Sequence, residues 1–593
     1  MASNLSGSKS RVLLFVPFVV KAQNPVATTT TITNAKIQIA HGLTRAPVAK
    51  VYTQYPTAHS LKANFNPLPC NIVSPIDTYQ LSKELSNYPN KDFTEYLLHS
   101  FTNGFRIGYV GQEFANIANN LKSAELHKHI IVDSIIDELK KGRVAGPFAK
   151  PPFQHFRTSP IGVVPKKEAG KFRVITDLSS PRGFSINDGI PDAEASVEFN
   201  NFDSAVNIVA ELGKGALMAK LDIKSAFRIC PVHPDDWHLL GFSLDGLFFV
   251  DLCLPFGLRS SVNRFTSLAD TLLWIMKNNL KIHSCTNYLD DYFLAGAAMS
   301  DDCQKHMTAT SRLFTKLGVP LAEEKTEGPT TKITFLGIEI DSMSMSLRLP
   351  DGKLGDLSNL IRSWMGKKKC TKRELLSLIG KLSFASKVIP SGRLFLRRLI
   401  DLSTTVEKLS FHISMTKEVR EDIKWWAEYL PSWNGKYRIL EQTTTLAPDL
   451  EIYTDASNLG LGIFYNGKWI SARWPNEFKE HSIQWKELFP IFITCLLWSD
   501  DFKGKRLLFH CDNLAIVNIW SSQTSRCPNL MSLLRRIFFI SAKHEFTVNV
   551  KHIPGVDNRL ADHLSRLQLA QFFRLVPGAA QGETHIPPAA WQI

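Results

Sequence analysis

A chain of 593 residues is too long for one hydrophobic core and divides into three or four domains. Its 44% hydrophobic and 21% charged residues are ordinary for a soluble globular protein, and its formal charge of +14 favours an anionic partner, nucleic acid first, because neutralised phosphates release counterions. The nine cysteines stand singly, without a CxxC or a His/Cys cluster, which argues against zinc sites and a disulfide framework and for a reducing compartment, cytosol or nucleus.

Residues 12–20 are apolar and follow Lys9 and Arg11, as a signal peptide would. The run is far short of a membrane span, Pro17 interrupts it and no A-x-A site follows, so it reads as neither secreted nor membrane-bound. A polar run at 28–31 and Pro/Asn-rich pieces at 64–75 make residues 1–119 an N-terminal extension, partly disordered, with no function assigned. From 120 to 141, Leu121, Ala124, Leu126, Ile130, Ile131, Ile135 and Leu139 recur near helical spacing, and Gly142 ends the pattern. Residues 159–178 then read as a strand, a basic turn with Gly170 and a second strand, which by charge alone fits a solvated hairpin tip.

Residues 219–227, AKLDIKSAF, read as a strand ending in Asp222; a lone acid there caps a helix as readily as it does chemistry. Residues 286–294, TNYLDDYFL, place Asp290 and Asp291 at the tip of a tight hairpin, clamped by Tyr288 and Tyr292. Turns often carry Asp for local hydrogen bonds, but neighbouring residues on a strand point to opposite faces, so these two acids do different jobs. Together they repel unless a divalent cation compensates them. Three carboxylates from two neighbouring strands suit a pair of Mg²⁺ ions, which stabilise the attacking and leaving oxygens of an in-line phosphoryl displacement.

From about 354 to 430 the chain is helix-rich. The basic run 366–373 fits a grip on duplex phosphates, a solvated loop and a nuclear import signal equally well. Pro431 and the segment 442–445 mark a linker. Beyond it, Asp455 lies in one strand, Glu487 in a helix running to Trp498, Asp512 at the end of another strand, and Asp562 in a helix start after the His552 loop. Singly, each acid is unremarkable: a surface Glu, a capping Asp.

LDIKSAF and YLDD in this order, with LPFGLRSS at 254–261 and FLGI at 335–338, resemble the palm of a reverse transcriptase, in wording closest to the DIRS and Ngaro (tyrosine-recombinase) retroelements, with Gypsy-type elements next. The segments around GPF…PP and DLSSPRG…NDG look DIRS-like too. The resemblance implies fingers and palm over 120–345 and a helical thumb or connection with linker over 346–446. In that family the hairpin at 159–178 closes over the incoming nucleotide, with a Lys and an Arg on its triphosphate; those positions fall on Lys166 and Arg173. Phe227 falls under the sugar, where a ring collides with a 2′-hydroxyl, and Phe256 with Gly257 borders the nucleotide pocket where retroviral enzymes carry Gln.

TDAS, WKEL, CDN and HIPG…NRLADHLSR resemble the RNase H fold over 447–568, leaving 569–593 as a C-terminal tail. By that match Asp455, Glu487, Asp512 and Asp562 hold two further Mg²⁺ ions, with Mn²⁺ as the substitute, and His552 aids proton or product handling or is a loop His of no consequence. The fold class implied is an α+β multidomain protein, a right-hand polymerase (fingers, palm, thumb) followed by an α/β RNase H-like domain. Copying an RNA template into DNA leaves a hybrid whose RNA strand must be removed, so the two activities belong together. The partners implied are RNA template, DNA primer and product, RNA–DNA hybrid, dNTPs, an element-encoded capsid protein and a separate recombinase or integrase. No aspartic-protease signature, Cys/His knuckle or room for an integrase after Arg566 is expected. A decayed copy that binds hybrids without turnover is the alternative; an RNA-dependent RNA polymerase would leave Phe227 and the RNase H region unexplained.

Overall fold

The computed structural model describes residues 61–591 except 167–169, 435–436, 439–447 and 545. The apolar run at 12–20, the polar run at 28–31 and the linker segment 442–445 lie outside the described residues.

Residues 61–119 differ from the partly disordered extension read from the sequence. Helices α1 (Thr78–Glu84) and α2 (Lys91–Asn103) are each started by a side-chain cap, Asp77 accepting from the Gln80 amide and Asn90 from that of Phe93. Their Leu81, Leu97 and Phe101 join Phe105 in the core that also holds the central sheet. The turn-rich composition hid this, because two short capped helices need a tertiary surface to bury their one apolar face. The helix expected over 120–141 is two, α3 (Lys122–Leu126) and α4 (Lys128–Lys140), divided at His127, and Gly142 follows with φ +68°.

Strand β1 (Val144–Phe148) leads to the hairpin β2 (Ile161–Pro165) and β3 (Phe172–Thr176), a separate two-stranded sheet under which α4 packs through Ile131, Val132, Ile135 and Leu139. Helix α5 (Phe202–Leu212) precedes β4 (Leu217–Asp222), and β5 (Gly241–Leu244) and β6 (Leu247–Asp251) pair with β1 in the order β1-β6-β5. Helix α6 (Ser261–Asn278), β7 (Cys285–Tyr288), β8 (Asp291–Gly296), α7 (Asp302–Leu317) and β9 (Glu327–Thr330) complete the central unit. Its sheet has the order β7-β8-β4-β9, every neighbour antiparallel. Period-two alternation sorts its side chains between two cores. Leu221, Tyr292 and Leu294 face Phe265 and Leu268 of α6 and Phe314 of α7, while Met218, Phe293 and Ala295 face Phe202, Val206 and Val209 of α5.

The chain continues through β10 (Lys332–Phe335), β11 (Ile338–Asp341), β12 (Ser346–Arg348), α8 (Asp351–Met365), β13 (Lys369–Thr371), α9 (Lys372–Ala385), α10 (Arg397–Ser403), β14 (His412–Ser414), α11 (Lys417–Trp433) and β15 (Tyr437–Arg438). Pro431 does not mark a linker; it lies in the last turn of α11, three residues before the helix ends at its Asn434 cap. The last unit comprises β16 (Leu450–Ala456), β17 (Gly460–Tyr465), β18 (Lys468–Arg473), α12 (Ile483–Leu497), β19 (Arg506–Cys511), α13 (Leu514–Ser522), α14 (Pro528–Lys543), β20 (Thr547–His552), α15 (Arg559–Ser565) and α16 (Leu569–Leu575). Its sheet runs β18-β17-β16-β19-β20, antiparallel up to β16 and parallel from there to β20.

The segment after 568 is no loose tail. Phe572 is fully buried, the Trp469 indole donates to the Ala579 carbonyl at 2.7 Å, and the Trp591 ring stacks on Phe489 at 5.4 Å. The helical region and the last unit also share a core: Phe395 stacks on Trp425 at 3.8 Å, with Phe538 of α14 against both.

Candidate active sites

The hairpin between β7 and β8 has a two-residue loop, Leu289-Asp290, so only Asp290 sits at the tip and Asp291 is the first residue of β8. Leu289 takes φ +55°, the left-handed conformation such loops demand and Gly or Asn usually supplies; for Leu it costs roughly 1–2 kcal/mol. Across the sheet, the antiparallel register runs from Leu217↔Gly296 to Asp222↔Asp291, and the Ile223 amide donates to the Asp290 carbonyl at 2.9 Å. All three acids therefore meet where β4 and β8 end.

Their electrostatics are strained. Burial, then Asp290 and Asp222, push the Asp291 carboxyl up to about 7. Asp290 is raised as well, by burial first and by Asp222, with Lys325 opposing. The described counter-charge is Lys325, whose ammonium donates to both oxygens of Asp222 at 2.8 and 2.9 Å. The sequence reading passed over Lys325, since nothing in Ala322-Glu323-Glu324-Lys325 marks it; the backbone bond from the Ala322 amide to the Asp222 carbonyl, 2.8 Å, brings it there.

Phe227 follows β4 in a short 3-10 turn, Ala226–Ile229, and packs edge-on against Phe256 at 5.2 Å and Phe265 at 5.6 Å. Phe256 is 54% exposed, an open ring beside a closed one. Gly257 has φ +92°, its carbonyl accepts from the Asn187 amide group at 2.9 Å, and a Cβ there would lie 3.4 Å from the Thr176 carbonyl at the foot of β3. Lys166 and Arg173 are exposed on the β2–β3 hairpin; the Lys166 amide donates to the Lys171 carbonyl at 2.8 Å and Arg173 pairs with Val164. They stand on a sheet separate from the one that carries the acids.

A second acid cluster forms at the ends of β16 and β19. Asp455 on β16, Glu487 on α12 and Asp512 just past β19 converge, and Asp562 comes from α15. Burial first, then Asp455 and Asp512, drive the Glu487 carboxyl up to about 9. Asp455 is pushed to about 6 by burial, with Asp512 and Asp562 adding repulsion and a hydrogen bond from the Ser565 hydroxyl opposing. Arg566 holds Asp562 at 2.7 Å, and His552, opposite Cys511 in the β19–β20 ladder, eases the charge on Asp512. Among the described residues, donor atoms of Glu487, Cys511 and Asp512 lie within 4.8 Å of one another. Helix α15 reaches the sheet because Gly462 has no side chain: a Cβ would meet the Ala561 carbonyl at 2.2 Å and the Ser565 amide at 2.5 Å. Cys511, Ser565 and Arg566 were not singled out from the sequence, where Ser and Arg after an acid carry no distinctive spacing.

Residues 164–340 match the reverse transcriptase (RNA-dependent DNA polymerase) family. That stretch contains the whole first cluster, with Lys166, Arg173, Phe227, Phe256 and Gly257. The chain is also 20% identical over 454 residues to the transposon Tf2-3 polyprotein of Schizosaccharomyces pombe, covering 73% of this chain and 30% of that one. It is 23% identical over 532 residues to the retrovirus-related Pol polyprotein from transposon 297 of Drosophila melanogaster, covering 86% and 45%. The chain thus spans less than half the length of these curated relatives. Two solved structures of the foamy viral protease-reverse transcriptase are similar, one with dsDNA (TM-score 0.46, 17% identity, 82% of this chain and 84% of that one) and one with RNA/DNA hybrid (TM-score 0.43, 17%, 82% and 64%). The family match and the transposon relatives support a retroelement reverse transcriptase. The fold is α+β and multidomain, the family-matched stretch being followed by a helical region and a unit built on the five-stranded sheet β18-β17-β16-β19-β20.

Proposed function

We propose that this chain is an RNA-directed DNA polymerase with RNase H activity, which copies retrotransposon RNA into DNA and degrades the RNA of the resulting hybrid. The observation that carries the reading is the pairing of Asp222 with Asp291, with Asp290 beside them, inside the family-matched stretch. The wording of its motifs supports an element closest to the DIRS and Ngaro lineage and related to Gypsy-type elements.

Both clusters fit divalent metal. Each gathers buried and half-buried hard oxygen donors whose proton affinity is raised first by burial and then by mutual repulsion, the condition a dication relieves. Asp222, Asp290 and Asp291 would hold two Mg²⁺ or Mn²⁺ ions, and Asp455, Glu487, Asp512 and Asp562 two more. When bound, such ions stabilise the attacking and leaving oxygens of phosphoryl transfer. Lys166 and Arg173 take the triphosphate of the incoming dNTP, the Arg as a fork and the Lys as a point charge. Phe227, braced by Phe256 and Phe265, blocks a 2′-hydroxyl, and Gly257 keeps the pocket floor free of a side chain. Near Asp512, His552 handles a proton or the departing product. The fingers and palm occupy 120–345, the thumb or connection 346–446 and the RNase H unit 447–568; an element-encoded capsid protein and a separate recombinase complete the partners.

The test is primer extension on an RNA template with Mg²⁺, the RNA strand labelled so that cleavage is read in the same reaction. Extension with dNTPs and shortening of the label are expected, and Asp290→Ala removes the first. Hybrid binding without either product from folded protein would show a decayed copy instead.

A further inference from the structure

Phe227 sits on a four-residue 3-10 turn, its ring against Phe256 and Phe265. Ser225, just before it, takes φ +59°, and the turn's own backbone bonds are Arg228 amide to Ser225 carbonyl at 2.7 Å and Cys230 amide to Phe227 carbonyl at 3.1 Å. The next side chain is the anchor. Arg228 is 8% exposed and its guanidinium meets Asp251 at 2.7 Å and Glu138 at 2.8 and 2.9 Å, then donates to the Cys253 carbonyl at 3.1 Å. Asp251 ends β6, and Glu138 lies on α4, the helix under the β2–β3 hairpin. Arg143, 3.7 Å from Glu138, and the more exposed Lys141, 3.9 Å from it, add positive charge at the second carboxylate.

Nothing in polymerase chemistry asks for a buried ion cluster there. A buried pair seldom adds net stability over an apolar filling, and its best-attested use is to specify one arrangement. Here it specifies where the turn sits between the hairpin's supporting helix and the β1-β6-β5 sheet. We propose that Arg228 is a positioning residue for sugar selection, its contacts with Glu138 and Asp251 fixing the turn so that the Phe227 ring stands where a 2′-hydroxyl would lie. This rests on the polymerase reading above. Burial opposes the charge on Arg228, yet Asp251 and Glu138 outweigh it and hold the guanidinium ionised.

The experiment compares kcat/KM for a dNTP and the matching rNTP in primer extension by the full chain, with a melting curve on each preparation. Arg228→Met should lower the dNTP:rNTP ratio about tenfold, a sub-ångström share of the roughly 10²-fold that a 1 Å misplacement can cost, with dNTP turnover largely kept. Arg228→Lys should recover part of the ratio. Phe227→Ala gives the size of a full loss. If Arg228→Met does not fold, the uncharged combination Glu138→Gln, Arg143→Met, Arg228→Met, Asp251→Asn is measured in its place, since an apolar or neutral replacement of a buried cluster is tolerated better than an orphaned charge. A ratio unchanged from the parent in whichever variant folds overturns the role of Arg228. A parent chain that extends no primer overturns the polymerase reading itself, a different result.

Discussion

Asp222 and Asp291 are direct cross-strand partners, and the residue after the first donates its amide to the carbonyl of the residue before the second, Ile223 to Asp290 at 2.9 Å. Cross-strand partners share a face and hold their Cβ atoms about 5 Å apart. The three carboxylates are therefore gathered by backbone pairing. Lys325 tempers their repulsion, by a direct ion pair with Asp222 and through space at Asp290 and Asp291.

The two clusters should separate by mutation. Asp222→Asn or Asp290→Ala is expected to lower extension by roughly three orders of magnitude or more, the scale of removing metal-held charge stabilisation, and to leave RNA cleavage of a preformed hybrid intact. Asp455→Asn should do the reverse. Gel assays on one doubly labelled substrate read both.

Acidity and metal should trade off in stability. A carboxyl raised on folding keeps its proton in the native state over a window where the unfolded chain has lost it, so stability falls as pH rises through that window. For Asp291 the window runs from 3.8 to about 7, and for Glu487 from 4.5 to about 9. Their contribution is fully present below the lower value and gone above the upper. The melting temperature should thus gain less from Mg²⁺ near pH 5 than near pH 8, where Asp291 is ionised while Glu487 still largely keeps its proton. Equal Mg²⁺ shifts at both pH values in differential scanning would contradict this.

Gly462→Ala should cripple hybrid cleavage alone. The added methyl must push α15, which bears Asp562, off the sheet. Overpacking of this kind costs about 1–3 kcal/mol, so a lower melting point and a loss of RNase H turnover are expected while extension continues.

Asp422→Ala should loosen the joint between α11 and α14. The carboxylate is 2% exposed, 3.1 Å from Arg398 and 3.5 Å from Arg535, and its removal leaves the buried Arg535 guanidinium, with the half-buried Arg398 beside it, unbalanced. About 3–5 kcal/mol of destabilisation follows from breaking one side of such a pair. Limited proteolysis of the folded variant should then cut between the helical region and the last unit sooner than in the parent.

The acids that gather into the two clusters were legible in the sequence as members of short, ordered motifs whose residues are chain neighbours: LDIKSAF, YLDD, TDAS, WKEL, CDN. The strand–turn–strand at 161–176 and the end of the helix at Gly142 were legible for the same reason, alternation and a glycine at positive φ. Other features depended on contacts between distant parts of the chain. The helices at 78–103 show their purpose only against the palm core, Pro431 only once α11 is seen to continue through it, and residues 569–591 only against Trp469 and Phe489. Lys325, Ser565 and the Arg228 cluster carry no spacing signal, since their partners lie 103, 110 and 90 positions away. Composition and motif, then, determined which chemistry this chain could attempt, because donor type and local spacing are written along the backbone. Tertiary structure alone decided which charges meet, how far burial raises them and what holds Phe227, because desolvation and Coulomb forces act through space and take no account of sequence distance.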